Sequence, residues 1–69
     1  MPVINVQLLT GRTQAQKEAF MKEVATAAQR TLRVPGHAVT IILSEVSLDH
    51  WSVGQRTMTD IQAALPAKE

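Results

Sequence analysis

The sequence predicts an α+β fold built on one β-α-β unit, and three observations carry that reading. Residues Pro2 to Leu9 alternate, with Ile4, Val6 and Leu8 on one side and Val3, Asn5 and Gln7 on the other, the period-two pattern of a half-buried strand. Ala15, Ala19, Phe20, Val24, Ala27, Ala28, Thr31 and Leu32 then recur at helical spacing, with most of the charged residues on the opposite side. Finally, Val39, Ile41, Ile42 and Leu43 form a nearly continuous apolar run, which is how a strand covered on both faces reads.

Each element has boundary signals of its own. Thr10-Gly11-Arg12 interrupts the first strand. Thr13 followed by Gln16 makes a capping box, in which hydroxyl and amide satisfy orphan N–H groups at a helix start. Glu18 and Lys22 form a favourable i, i+4 pair, and Arg30 and Arg33 suit the negative end of the helix dipole. Val34-Pro35-Gly36 ends the helix. Its length of roughly 19 residues gives about 28 Å, enough to recross a seven-residue strand of about 23 Å. The second strand spans Ala38 to Val46, and a helix between two strands makes them parallel, with a right-handed crossover. Trp51-Ser52-Val53-Gly54-Gln55 reads as an exposed turn or hairpin. Thr57 to Glu69 shows no strong pattern, and residues 62–69 are expected to be the C-terminal tail of a single domain spanning residues 1–69.

With 69 residues and no cysteine, the chain has neither a large core nor disulfides or Cys-based zinc sites to staple a small one. His37 and His50 lie outside any metal-ligand spacing, so no metal is expected. One helix covers one face of the sheet, and the other apolar face requires a partner subunit. A net charge of +1 lacks the electrostatic footprint of a nucleic-acid binder. No apolar run approaches the ~20 residues of a membrane span, and the N-terminus lacks a signal-peptide pattern. The expectation is a cytoplasmic protein that engages neither nucleic acid nor membrane.

The start of the first strand raises a chemical question. Proline has no N–H to give to a β-ladder. A Met-Pro start arises by chance at proline's ordinary frequency, or it serves chemistry, because removal of Met1 leaves Pro2 with a free secondary amine, which is a base.

The stretches PVINVQLLTGRTQAQKEAFMKEV, VPGHAVTIILSEV and HWSVG resemble, in this order and spacing, the tautomerase superfamily, in particular the small 4-oxalocrotonate tautomerase-like subunits. The resemblance runs from Pro2 to about Gly54. It implies a β-α-β protomer with a C-terminal hairpin, assembled as a trimer or hexamer of its own copies, and an isomerase that needs no cofactor. It further implies that Pro2, once exposed, is the general base or acid that moves a proton between enol oxygen and carbon, or between carbons. A base working near neutral pH requires an amine whose charged form is disfavoured by an apolar wall and a nearby cation. Arg12 corresponds to the family arginine that grips a substrate carboxylate, a task suited to a guanidinium fork. Leu9 and Trp51 correspond to the apolar wall.

One position departs from the family pattern. Thr40 stands where 4-oxalocrotonate tautomerase has a second arginine, and a hydroxyl supplies a hydrogen bond but no charge. The expected substrate is therefore an enol or unsaturated form of a simple 2-keto acid rather than a dicarboxylate. His50 and Arg56 are the residues available to stand in. Val53 and Leu9 occupy positions where dehalogenase relatives carry a water-activating glutamate and an arginine, so hydrolytic dehalogenation is disfavoured. Two other functions share the fold: a non-catalytic partner subunit of a hetero-oligomer, and a small carboxylate-binding protein.

Overall fold

A computed structural model describes residues 1–65. Strand β1 (Val3–Leu9) leads into helix α1 (Gln14–Leu32), which returns the chain to strand β2 (Thr40–Val46). The two strands are parallel, in register from Val3 opposite Thr40 to Leu9 opposite Val46. A hairpin of β3 (Ser52–Val53) and β4 (Arg56–Thr57) follows, then a short helix α2 (Met58–Ala63). The fold class, the parallel pair, the long crossover helix and the hairpin are those the sequence predicts.

Helix α1 starts as expected. The Thr13 hydroxyl accepts from the Gln16 N–H at 3.1 Å while the Gln16 side-chain oxygen accepts from the Thr13 N–H at 3.0 Å, a cap worth about 1 kcal/mol. Its end differs slightly from expectation. Arg33 itself turns left-handed, with φ 58°, and its N–H bonds the Gln29 carbonyl at 2.9 Å. The helix therefore stops before Pro35-Gly36 is reached. A 3-10 turn over Gly36–Ala38 follows, held by the Val39 N–H on the Gly36 carbonyl, so β2 begins at Thr40 and not at Ala38.

The packing shows how little one protomer buries. Ala28, at 8% exposure, is the only buried apolar residue among those described. Met21, Val24, Ala25 and Ala28 lie on the less exposed side of α1, whereas Phe20 and Leu32 are exposed. Lys17, which the periodicity assigned to the solvent side, is half-buried and pairs with Glu45 of β2 at 2.8 Å, a link contributing on the order of 0.5 kcal/mol. On the sheet face away from α1, Val3 and Ile42 are open to solvent. The protomer exposes 5458 Å², against roughly 4,300 Å² for a compact monomer of this length.

The segment after Thr57, which carries no readable pattern in the sequence, contains α2. Six residues form no stable helix alone, and four contacts hold this one. The Thr57 hydroxyl accepts from the Asp60 N–H at 3.2 Å, and the Met58 N–H donates to the Trp51 carbonyl at 2.7 Å. The Thr59 hydroxyl donates to the Asp49 carboxylate, and the Arg56 guanidinium donates to the Asp60 carbonyl at 3.3 Å. Helix α2 runs through Ala63, into the stretch expected as a tail; residues 66–69 of that stretch lie outside the described residues.

Candidate active site

The five residues singled out in the sequence separate into two groups at opposite ends of the strand pair. Pro2 precedes β1 and Thr40 opens β2. Lacking an N–H, Pro2 takes part in the ladder through its carbonyl alone, which accepts from the Thr40 N–H at 3.0 Å. Its nitrogen is bonded to Met1, which is 85% exposed. While Met1 is attached that nitrogen belongs to an amide and has no basicity.

Leu9, Arg12 and Trp51 gather at the other end. The Thr10 N–H extends the ladder by one bond to the Val46 carbonyl, at 3.1 Å, before the chain turns at Gly11. Gly11 has φ 126°, a conformation open to glycine and strained for other residues. That turn separates the strand from the Thr13 cap and leaves Arg12 exposed between them. Trp51 follows the 3-10 turn Leu48–His50 and is fixed by its carbonyl bond to Met58. Leu9, Arg12 and Trp51, with Gln7 and Gln62, line a cleft of about 370 Å³. Arg12 is the only charged side chain on that lining, and no acid faces it. An unopposed guanidinium beside an indole face and an aliphatic wall suits a planar carboxylate with an unsaturated body.

A second groove, of about 290 Å³, borders Arg12 on the α1 side, between Leu8, Phe20 and Leu43. It lacks Trp51 and is the gap where helix and sheet part. The cleft is the better candidate because it joins the cation to the aromatic wall.

The two groups are separated by the length of β1, roughly 20 Å at ~3.3 Å per residue. Within one protomer Pro2 therefore meets neither Arg12 nor Trp51. Arg56 and His50 do not line the cleft, and the guanidinium of Arg56 is engaged with the Asp60 carbonyl. Among the described residues no three His, Asp or Glu side chains come together as a metal site, and no helix is long and apolar enough to cross a membrane. Gln7, Leu8, Thr10, Gly11 and Gln62 also line the cleft without having been expected there, and Gln62 alone of these comes from outside the β1–Arg12 segment. The available signal was Thr57 followed by Asp60, a capping pattern that announces a helix start.

Comparison with known proteins gives a consistent family. The family model described as tautomerase enzyme matches residues 2–61. A 2-hydroxymuconate tautomerase of Pseudomonas putida is 35% identical over 54 residues, covering 78% of this chain and 86% of the relative. Among solved structures, a 4-oxalocrotonate tautomerase isozyme of Methylibium petroleiphilum superimposes with a TM-score of 0.89 at 38% identity, covering 93% of this chain and all of that one. A heterohexamer 4-oxalocrotonate tautomerase of Chloroflexus aurantiacus superimposes with a TM-score of 0.83 at 31% identity, covering 88% of this chain and 98% of that one. On the extent of the family match and the level of identity, the chain belongs to the tautomerase family.

Proposed function

We propose that the protein is a keto–enol tautomerase whose working site forms between protomers, with Pro2 and Thr40 supplied by one copy and Leu9, Arg12 and Trp51 by another. The observation that carries this reading is the separation of the two groups along β1, together with the uncovered apolar surface. A base at one end of the protomer and a carboxylate grip at the other meet only when copies pack end to end. The uncovered faces of β2 and α1, with Ile42, Phe20 and Leu32 exposed, supply the area for such an assembly, a trimer or a hexamer; the Chloroflexus aurantiacus relative is a heterohexamer.

In the assembled site the Arg12 fork holds the carboxylate of an enol or unsaturated 2-keto acid, and Trp51 and Leu9 exclude water from its flat body. The Pro2 amine, freed of Met1, takes the proton of the enol oxygen. The electron pair of the O–H bond forms the carbonyl, the enol double bond shifts to the carbon to be protonated, and the prolinium returns its proton there. No redox partner or cofactor enters this balance. The apolar wall and the positive Arg12 both disfavour the prolinium, so the free amine persists into the neutral range. The rate should accordingly rise with pH through a single ionisation on the acid side.

Thr40 favours a second reading, a partner subunit that keeps the fold and contributes only the Arg12 cleft to a hetero-oligomer. Two measurements decide between them. Intact mass identifies the processed chain, and its ketonisation of phenylenolpyruvate is compared with that of a Met1-retaining form. The processed chain should turn over and the Met1-retaining form should lose nearly all activity; equal rates, or none in the processed chain, exclude Pro2 as the base. Sedimentation should give a trimer or hexamer, and a folded monomer at micromolar concentration overturns the shared site.

A further inference from the structure

We infer that Gln62 sets the substrate preference of the cleft by presenting a neutral amide to the end of the substrate remote from its Arg12-bound carboxylate. This rests on the cleft being the substrate pocket, as proposed above. Helix α2 carries Gln62 onto the lining that Arg12 and Trp51 share. The helix is not free to swing away, because its first turn is tied to Trp51 through the Met58 N–H and to Asp49 through the Thr59 hydroxyl. One backbone bond therefore ties the Trp51 main chain to the helix bearing the amide. The Gln62 side chain makes no hydrogen bond to another described residue, which leaves its two N–H donors and its acceptor oxygen available to a ligand.

The charge distribution decides what that amide can recognise. Arg12 is the single charge this protomer places on the lining and the Thr40 that the proposed partner brings is neutral, so one carboxylate is neutralised there and a second finds no arginine or lysine. An amide both donates and accepts, so it pairs with a neutral polar terminus such as a carbonyl, hydroxyl or amide. A methyl terminus would cover the Gln62 amide without replacing its bonds to water, which is unfavourable. The preferred substrate class is a 2-keto acid enol with one carboxylate and a neutral polar far end.

Trp51 is the only tryptophan of the chain, and its fluorescence reports occupancy of the cleft without turnover. The probes are three six-carbon 2-keto acids that differ at the far end alone: 2-oxohexanoate (methyl), 2-oxoadipamate (amide) and 2-oxoadipate (carboxylate). The processed oligomer should bind the amide-ended acid about fivefold more tightly than the methyl-ended one, the scale of one net hydrogen bond. Gln62→Leu should erase that ratio, and Gln62→Arg should raise the carboxylate-ended acid roughly tenfold relative to the amide-ended one. Arg12→Ala, measured beside them, should weaken all three. If Arg12→Ala weakens all three while Gln62→Leu keeps the amide preference, or if the unmodified protein has no such preference, the role of Gln62 is overturned and the cleft reading stands. If Arg12→Ala changes none of them, the cleft reading itself fails.

Discussion

At the Pro2 end of the strand pair the defining contact is between backbone groups, the Pro2 carbonyl and the Thr40 N–H, and the side chains of Val3, Val39 and Thr40 carry no charge. At the Leu9 end the strands run out into a glycine turn, an exposed arginine, an indole and a cleft. On the proposed reading, one end supplies a base with nothing beside it to hold a substrate, and the other a holding site with no base. Neither performs proton transfer alone. On the shared site proposed above, the apolar surface that a chain of 69 residues leaves uncovered and the separation of its two ends have one explanation, an assembly that covers the first and joins the second.

The largest effect is expected when the two ends are disabled on different copies. A Met1-retaining chain has no amine at Pro2, and an Arg12→Ala chain has no carboxylate grip, so each homo-oligomer should lose most or all turnover. Unfolded together and reassembled in equal amounts, they should regain activity, since about a quarter of randomly mixed interfaces pair an intact Pro2 with an intact Arg12. Activity is measured before and after mixing, with mixed assemblies identified by native mass. If mixed oligomers form and remain inactive, the two ends do not serve one site.

Arg12→Ala alone is the next largest effect. Removing one partner of a charge-assisted contact in a partly desolvated site should lower kcat/KM by about 2–4 kcal/mol, with KM raised and kcat reduced as alignment is lost. Steady-state kinetics on a 2-keto acid enol measures both. Unchanged kcat/KM would show that the carboxylate is held elsewhere and that the Leu9 end is only a turn.

How much of this was legible in the sequence follows from where periodicity operates. β1, α1 and β2 are long enough for their patterns to show, and the Thr13–Gln16 capping box marks the start of α1 within a residue. The opposition of Pro2 and Arg12 was also present in the sequence, since they flank a single strand. The sequence sorted α1 less well. Its apolar arc is wider than two strands can cover, so Phe20 and Leu32 are exposed while Lys17 is drawn in by Glu45. Helix α2 lacks the length for a period to register, and it exists because Trp51, Asp49 and Arg56 hold it from outside. The Thr57–Asp60 cap announces the start of α2, but the place of Gln62 in the cleft depends on the chain folding back onto Trp51, which no local pattern encodes.

The smallest expected effect tests the neutral character of the Pro2 end. Thr40 is half-buried at the start of β2 and its N–H is committed to the Pro2 carbonyl. A substitution that keeps the backbone should therefore keep the strand pairing while changing what the side chain offers. Thr40→Arg adds a cation beside Pro2, where the proposed assembly brings the far end of a substrate held by Arg12. A dicarboxylate such as 2-hydroxymuconate should gain, because its second carboxylate then has a partner, whereas a monocarboxylate such as phenylenolpyruvate should not. The added charge also disfavours the prolinium, so the acid-side ionisation of the rate should move to lower pH for both substrates. The ratio of kcat/KM for the two substrates should shift by roughly three- to tenfold toward the dicarboxylate, the scale of a solvent-screened charge-assisted contact. An unchanged ratio together with an unmoved pH profile would show that Thr40 faces away from the shared site, and that the Pro2 end contributes its amine and nothing more.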